Sequence, residues 1–260
     1  MVEFVAPKWQ VLLVRNQLDS FDMVWRCKAA WVEAPNVDRG GISGVGRVML
    51  QSSQGGAVGA FIKRQQNHTR FSWRHPLRGE ATFRREFYIV QHLRHHGVPT
   101  LEPMLFSESY AGPEVRAVLM TAALDGYQPL DVLVANPEFA QMTSQEKRRL
   151  LAAAAETVRK MHTSGVQHRS LYAKHLFAMR QADGYRVVVI DLEKSRRSLL
   201  PVLRTVYDLV TLNYRTPVWS RSQRLYFFKQ YYATTSLNAW QRILCRLIVW
   251  RSRRKRQSKA

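Results

Sequence analysis

The chain has 260 residues, 46% of them apolar, which is enough for one large domain or for two lobes and excludes a wholly disordered protein. Its formal net charge of +21 at pH 7 is unusual and predicts an anionic partner: nucleic acid, an acidic membrane surface or a phosphorylated polymer. A basic surface without a specific partner is the alternative, because net charge bears on association and not on chemistry.

The cysteines and the apolar segments indicate the compartment in which the protein works. Cys27 and Cys245 form no C-x-x-C pair, so the sequence suggests neither a zinc site nor a disulfide framework and fits a reducing compartment. Glu3 and Pro7 interrupt the apolar residues near the N-terminus, which makes this segment a poor signal peptide. No run approaches the roughly 20 apolar residues that span a bilayer. We expect a cytoplasmic protein, or one attached to the membrane from that side.

The first half of the chain reads mainly as β-structure. Four segments rich in Val, Phe, Met or Trp predict strands: Phe21–Lys28, Gly46–Gln51, Ala57–Lys63 and Val115–Thr121. One helix is predicted from about Glu80 to His96, since its apolar residues share one face and Gly97-Val98-Pro99 ends it. The turn-rich segment from Leu124 to Pro129 is expected to connect two lobes as a hinge.

The second half reads mainly as helices. Thr143 and Glu146 form a capping-box pattern, which predicts a helix that runs to His162 or Ser164 and ends at Gly165. One strand and two further helices are predicted at Tyr185–Leu192, Ser222–Tyr232 and Leu237–Trp250. The sequence therefore predicts a two-lobed α+β fold, with a strand-rich lobe at 1–123, a helical lobe at 124–236 and a basic C-terminal helix and tail at 237–260.

Two features of the first half are candidates for binding nucleotide phosphates. A glycine-rich run begins at Gly40 and enters a strand, and the backbone at Gly41, Gly44 and Gly46 could approach phosphates closely. Because the spacing is not G-x-G-x-x-G, a plain turn is equally consistent. The next strand ends in Ala60-Phe61-Ile62-Lys63, as V-A-I-K does in kinases.

Lys63 needs a carboxylate partner if it is to act as a kinase lysine. Glu86 lies 23 residues further on, inside the predicted helix, and is our choice; Glu80 is second, because at a helix start an acid can simply complement the helix dipole. The alternative for Lys63 alone is an exposed cation at a strand end. Met120, near the end of the strand before the connector, is a further candidate for nucleotide contact.

The segment from His168 to His175 carries the strongest signal. It has the layout of a kinase catalytic loop, H-R-D-L-x-x-x-N, with Ser170 in the position of the catalytic aspartate and His175 in that of the metal-binding asparagine. An apolar strand then ends at Asp191, where a carboxylate could hold Mg²⁺. The alternatives without function are that Asp191 forms a turn at the strand end and that His175 is an ordinary loop residue.

Other residues of this region have predicted roles of their own. His168 and Arg169 are expected to be scaffold residues, and Lys174 stands where some kinases carry an arginine near the acceptor. Asp208 is placed to hold the loop backbone from a following helix, although an ordinary N-cap is the alternative. In kinase order, these features predict phosphoryl transfer with His175 and Asp191 at the metal.

With these motifs the chain resembles the bacterial lipopolysaccharide kinase family of the Kdo/WaaP type, and especially its InaA-like branch. The resemblance runs from about Gly40 to Asp208. It rests on five segments: 41–45, 61–65, 75–80, 171–177 and 191–196. It implies a protein-kinase-like fold, use of ATP with Mg²⁺, and phosphorylation of an inner-core sugar of lipopolysaccharide at the cytoplasmic face. Histidine at position 175 is usual in that family.

Ser170 departs from the family, whose kinases carry the aspartate that activates the acceptor at this position. Serine cannot act as a base near pH 7. The loss of a general base typically costs about 10²–10⁴ in rate, although Lys63, metal and positioning could support slow transfer. Three hypotheses follow: an active sugar kinase acting on lipopolysaccharide core or another anionic glycolipid, a nucleotide-binding pseudokinase, and a basic protein that binds membrane or nucleic acid on a decayed kinase fold.

The C-terminal segment fits the membrane hypothesis. Trp240, Leu244, Leu247 and Ile248 share one helical face that could lie on a membrane, and the basic residues that follow would meet anionic head groups. The alternative is a helix packed on the rest of the lobe with a solvated charge run. Nucleic-acid binding is a third interpretation, but no known nucleic-acid motif accompanies the charge.

Overall fold

The computed structural model describes residues 3–32, 35–38, 41–72, 75–112, 114–216 and 218–258. The chain forms two compact units. The first contains Met1–Gln91 and Leu101–Asp125, and the second contains His92–Thr100 and Gly126–Ala260.

The first unit is rich in strands. Within the described residues its strands are β1 Phe4–Val5, β2 Ala30–Trp31, β3 Asn36–Asp38, β4 Gly41–Gln51, β5 Ala57–Gln66, β6 Thr69–Ser72, β7 His75–Ala81, β8 Pro103–Ala111 and β9 Glu114–Ala122. Its helices are α1 Pro7–Arg15, α2 Phe21–Arg26 and α3 Thr82–His95, although α3 from His92 onward belongs to the second unit.

The main sheet of this unit is antiparallel throughout and has the order β1-β8-β9-β5-β4-β2, with β3 also paired to β4. Side chains alternate along β4: Val48 and Leu50 are buried, whereas Arg47 and Met49 are exposed. This alternation places one face of the sheet on an apolar core, because successive residues of a strand point to opposite faces. Helices α1 and α2 complete that core with Leu13, Leu18, Phe21 and Val24.

The segment Phe21–Lys28 was predicted to be a strand, and this prediction is wrong. Residues 21–26 form the helix α2, which Ser20 caps by accepting a hydrogen bond from the backbone N–H of Met23 at 3.4 Å. Phe21 and Val24, three residues apart, are buried together, which is helical spacing. A six-residue segment rich in aromatic residues satisfies the strand pattern as well, so its composition misled the prediction.

The second unit is mainly helical. Its helices are α4 Leu130–Ala135, α5 Pro137–Gln141, α6 Ser144–Thr163, α7 Pro201–Tyr214, α8 Arg221–Tyr231 and α9 Ala239–Gln257, with a short 3₁₀ helix at Ala173–His175. Its strands are β10 Gln128–Pro129, β11 Val166–Gln167, β12 Leu176–Gln181, β13 Gly184–Val189 and β14 Arg196–Arg197. Strands β10, β12 and β13 form one antiparallel sheet, and β11 pairs with β14.

Helix α6 is the central element of this unit. The predicted capping box is confirmed: the Thr143 hydroxyl accepts a hydrogen bond from the Glu146 N–H at 3.2 Å, and the Glu146 carboxylate accepts one from the Thr143 N–H at 3.0 Å. The helix buries one face, including Leu150, Ala154 and Val158, against α8 and β13. Strand β13 is thereby fixed, and the residues that follow it are held in place.

A strand-rich first unit and a helical second unit make the α+β fold that was predicted. Among the residues that the structure describes, no helix is both long and apolar enough to cross a membrane.

Candidate active site

The lysine predicted from the strand pattern forms a buried ion pair. Lys63 lies on β5 between Val45 of β4 and Leu119 of β9, and its Nζ is 2.6 Å from Oε1 of Glu86 on α3. Glu86 is fully buried, and the Lys63 side chain is 17% exposed. The second oxygen of Glu86, Oε2, is buried and has no hydrogen-bond partner among the described residues. Glu80, the other carboxylate considered for this role, is buried at the end of β7.

From Gly41 onward the glycine-rich run is part of strand β4, so the alternative of a plain turn is wrong there. Gly41, Gly44 and Gly46 lie in β4, while Gly40 lies outside the described residues. A Cβ added at Gly44 would lie 2.5 Å from a ring carbon of Trp31, and one at Gly46 would lie 2.5 Å from Cβ of Ala29. Close packing therefore accounts for these glycines, and contact with phosphate remains a prediction.

The side chain of Met120 belongs to the core of the first unit. It is fully buried, and its strand position lies opposite Ile62 of β5 and Leu105 of β8. The structure thus gives Met120 a packing role in the sheet that carries Lys63.

The loop at 168–175 is anchored by a buried carboxylate. Asp208, inside α7, accepts hydrogen bonds from the backbone N–H groups of His168 at 2.7 Å and Arg169 at 2.8 Å. Its third partner is His162 Nε2 at 3.1 Å. Asp208 therefore holds the loop backbone, as predicted, and the N-cap alternative is wrong because α7 begins at Pro201. Arg169 has a φ of +67°, a conformation that these two bonds help to hold.

His168 is a structural residue of the loop. Its Nδ1 accepts a hydrogen bond from the Ser170 N–H at 3.3 Å, so Nε2 carries the proton and donates to the carbonyl of Ile190 at 2.9 Å. Burial lowers the pKa of His168, against the opposing effect of Asp208. A neutral imidazole satisfies both contacts, and this explains the scaffold role predicted for the residue.

His175, at the end of the loop, lies next to Asp191. His175 Nδ1 donates to the carbonyl of Ser170 at 2.8 Å, and His175 Nε2 is 3.1 Å from Oδ2 of Asp191. Burial lowers the pKa of His175, an effect that Asp191 opposes. In the neutral ring Nε2 holds a lone pair, so two acceptors face each other unless a proton or a cation lies between them.

The arrangement at Asp191 fits a metal ion carried in with a nucleotide. Its side chain is 43% exposed, and its φ of +58° turns the chain sharply just after β13. No group of three or more His, Cys, Asp or Glu side chains suited to a metal occurs within the described ranges. Mg²⁺ usually takes one or two protein carboxylates and completes its shell with phosphates and water, and Asp191 could supply one such carboxylate.

Ser170 is buried and is held through its backbone on both sides. Its N–H donates to His168, and its carbonyl accepts from His175. The backbone at the position that carries an aspartate in kinases is therefore held by hydrogen bonds, and the difference lies in the chemistry of the side chain.

A hydrogen-bonded network behind the loop was not predicted. His162 Nδ1 lies 2.9 Å from the hydroxyl of Tyr231, which lies 2.8 Å from that of Thr205. All three side chains are buried, and Ser195 adds a hydrogen bond to the carbonyl of His168 at 3.3 Å. His162 and Tyr231 are 69 residues apart, so no local spacing could have indicated the network.

The face of α9 that was expected to meet a membrane is partly internal, which corrects the sequence interpretation. Leu244 and Ile248 are buried together with Ser252, and α9 packs along α7. The Ser252 hydroxyl donates to the carbonyl of Val210 at 3.3 Å. The helix also extends through the basic residues to Gln257 instead of ending at Trp250.

Comparisons with known proteins agree with this geometry. Protein InaA of Escherichia coli strain K12 is 29% identical over 189 residues, covering 72% of this chain and 84% of InaA. The lipopolysaccharide core heptose(I) kinase WaaP of the same organism is 31% identical over 147 residues, covering 54% of this chain and 55% of WaaP. WaaP of Pseudomonas aeruginosa is 27% identical over 157 residues, covering 57% of this chain and 59% of that protein.

A solved structure, WaaP in complex with acyl carrier protein, superimposes with a TM-score of 0.71 at 21% identity, covering 99% of this chain and 98% of that one. This likeness confirms the predicted protein-kinase-like fold. The family model of the lipopolysaccharide kinase (Kdo/WaaP) family matches residues 22–232. The chain therefore belongs to the lipopolysaccharide kinase (Kdo/WaaP) family.

Proposed function

We propose that this protein transfers the γ-phosphoryl group of ATP to a hydroxyl of a lipopolysaccharide core sugar. The observation that carries the proposal is the loop 168–175, which Asp208 anchors and in which His175 lies 3.1 Å from Asp191. Phosphoryl transfer depends on positioning and on compensation of phosphate charge rather than on covalent chemistry, and an anchored loop supplies positioning.

In this proposal each site residue has a defined task. Lys63, held by Glu86, contacts the nucleotide phosphates as a cation, and Asp191 with His175 holds the divalent ion that accompanies ATP. A divalent ion held there would supply positive charge that offsets the charge of the phosphates. His168 and Asp208 act as positioning residues, because they contact the loop backbone and not the reacting groups.

Ser170 sets the expected rate of the reaction. A serine hydroxyl cannot take the acceptor proton near pH 7, so the acceptor oxygen must attack without the usual aspartate. We expect turnover about 10²–10⁴ lower than in a kinase that has the base. Lys63, the metal and the ordered loop still support the loose transition state of the transfer.

Ser170 also favours a second candidate, a nucleotide-binding pseudokinase that regulates a partner at the inner membrane. This candidate keeps the tasks of Lys63 and Asp191 in binding and assigns none to the acceptor. The two candidates differ in one measurable property, the transfer of phosphate.

The kinases to which the chain is similar support a choice of acceptor and of location. The two WaaP relatives are lipopolysaccharide core heptose kinases, which supports an inner-core sugar as the acceptor. Such sugars are carried on a glycolipid, so we infer that the protein works in the cytoplasm as a peripheral protein of the inner membrane.

The test incubates the protein with radiolabelled ATP, Mg²⁺ and deacylated lipopolysaccharide core, and measures labelled sugar. We expect slow transfer by the wild type, none by Asp191→Asn, and an increase of about 10²-fold or more in Ser170→Asp. Asp183→Asn, an exposed turn position in the same unit, is the matched control for Asp191→Asn and should leave transfer unchanged.

The outcomes separate the candidates. Unchanged turnover in Asp191→Asn would contradict the kinase assignment of this site. Nucleotide binding without transfer in both the wild type and Ser170→Asp would support the pseudokinase candidate.

A further inference from the structure

Helix α9 presents a second apolar stripe, distinct from the face that it buries. Trp240, Ile243 and Trp250 are 53%, 54% and 48% exposed, and Leu247 between them is partly exposed. The spacings of three, four and three residues place these four side chains on one flank of the helix, over about 15 Å of its length. We call these four residues the α9 stripe.

The neighbouring helix α7 also exposes apolar side chains. Its residues Leu203 and Tyr207 are exposed, and Lys255 of α9 lies over the Tyr207 ring, with Nζ 5.6 Å from the ring centroid. Two packed helices therefore expose tryptophan, isoleucine and leucine side chains. Large exposed apolar patches are uncommon on proteins that bind nothing there, and they mark interaction sites.

Cations line the same surface. The Arg254 guanidinium lies over the Trp250 ring at 4.2 Å from the centroid, and Arg251 is exposed next to Trp250. Residues 194–260 contain 16 lysines or arginines and one acid, Asp208, which is fully buried. The α9 stripe therefore combines exposed apolar side chains with exposed arginines at its C-terminal end.

We propose that the α9 stripe and its arginines bind the surface of an anionic phospholipid bilayer. Tryptophan and isoleucine would enter the boundary between head groups and acyl chains, while Arg251 and Arg254 meet lipid phosphates. The charge is complementary to acidic lipid, and the helix is too polar to span the bilayer. A nucleic-acid surface would need the cations but would leave Ile243 and Leu247 exposed to water, so the apolar stripe favours the bilayer.

The first test is binding of the full chain to vesicles of phosphatidylglycerol and phosphatidylcholine, compared with phosphatidylcholine alone, without nucleotide. We expect binding at least about tenfold tighter to the anionic vesicles. The double variant Ile243→Ser with Trp250→Ser should weaken it about tenfold, and Arg251→Ala with Arg254→Ala about tenfold or more. Val11→Ser with Val14→Ser, two exposed positions of α1, is the matched control and should bind like the wild type.

A second measurement does not depend on loss of binding. Replacement of Trp240 and Trp250 by phenylalanine keeps the apolar stripe, so binding should persist while quenching of tryptophan fluorescence by brominated lipid falls by half or more. Trp31→Phe, an exposed position of the first unit, should leave the quenching unchanged.

Wild-type affinity in the Ile243→Ser, Trp250→Ser variant, or unchanged quenching in the phenylalanine variant, would overturn the proposal. Absence of vesicle binding together with tight binding of duplex DNA would do the same and would assign the charge to nucleic acid. Because the assays contain neither ATP nor sugar, their result does not depend on the proposed kinase activity.

Discussion

Asp208 shows how one buried carboxylate can organise a functional loop. It accepts hydrogen bonds from two backbone N–H groups of the loop and contacts His162, and the carboxylate that makes these contacts is fully buried. Hydrogen bonds to a charged group contribute about 1.5–3 kcal/mol each, more than neutral ones. The loop conformation, including the positive φ of Arg169, thus depends strongly on this residue.

We predict that Asp208→Asn lowers the free energy of unfolding by about 3 kcal/mol, because it removes the charge and directs an amide N–H₂ at backbone donors. Urea denaturation followed by circular dichroism measures the change. Asp183→Asn, exposed in the turn after β12, should change stability by less than about 0.5 kcal/mol. Equal stability of Asp208→Asn and the wild type would contradict the anchoring role.

The protonation of His168 makes the free energy of unfolding depend on pH. Burial lowers its folded pKa below 6.5, and protonation of Nδ1 would also break the bond from the Ser170 N–H. Well above pH 6.5 the ring is neutral in both the folded and the unfolded protein, so it contributes no pH dependence there. Below pH 6.5 the unfolded state binds the proton first, so stability falls as pH falls, by at most about 1.4 kcal/mol per pH unit for one histidine.

We therefore expect the thermal midpoint to decrease as the pH is lowered from 7.5 to 5.5. The decrease should be smaller in His168→Gln, whose side chain does not titrate. Calorimetry of both proteins across this range gives the two slopes. Equal slopes would show that His168 is not responsible for the acid sensitivity.

At the scale of elements, two helices that begin with capping boxes were predicted closely. Helices α6 and α8 begin after Thr143 and Ser220, both of which form capping boxes, and their predicted limits agree with the structure to within about two residues. Helices α1 and α7 begin after Ala6 and Leu200, whose side chains make no capping hydrogen bond. Each begins at a proline, Pro7 or Pro201, which is a weaker start signal. Helix α1 was not predicted, and α7 was expected only as a helix that carries Asp208.

The same reasoning explains what could be predicted of the site. Lys63, Glu86 and the loop were found because a strand end, a helix interior and a motif are local patterns. The network through His162 joins residues that are far apart in sequence, so only the fold brings them together.

The glycines of β4 allow a prediction about this strand. We expect Gly46→Ala to lower the free energy of unfolding by about 1–3 kcal/mol, because the added Cβ would lie 2.5 Å from Cβ of Ala29 and the strands would have to move apart. Urea denaturation gives the value. Ser43→Ala, in the same strand, adds no atom and is the control. Wild-type stability of Gly46→Ala would remove the packing explanation and strengthen the phosphate explanation.

At the scale of the whole molecule, charge is distributed unevenly along the chain. The last quarter carries most of the excess positive charge, and the described residues of α7 and α9 combine it with exposed apolar side chains. The residues proposed for nucleotide binding lie earlier, at Lys63 and Glu86 and from His168 to Asp191. The proposed lipid contact and the proposed phosphoryl transfer are therefore assigned to separate residues, and each can be removed by mutation without direct change to the other.

Nucleotide-dependent melting of the full chain tests the residues proposed to bind ATP and its metal ion. ATP at about 100 times its dissociation constant, with Mg²⁺, should stabilise the protein by about 2.7 kcal/mol, which corresponds to a rise in the thermal midpoint of roughly 5–10 °C. Lys63→Met should abolish the shift, because it removes the cation that meets the phosphates, whereas Lys28→Met at an exposed position should retain it. Chelation of Mg²⁺ should reduce the shift in the wild type but not in Asp191→Asn. An ATP-induced shift that is equal in Lys63→Met and the wild type would show that the Lys63–Glu86 pair serves the fold alone.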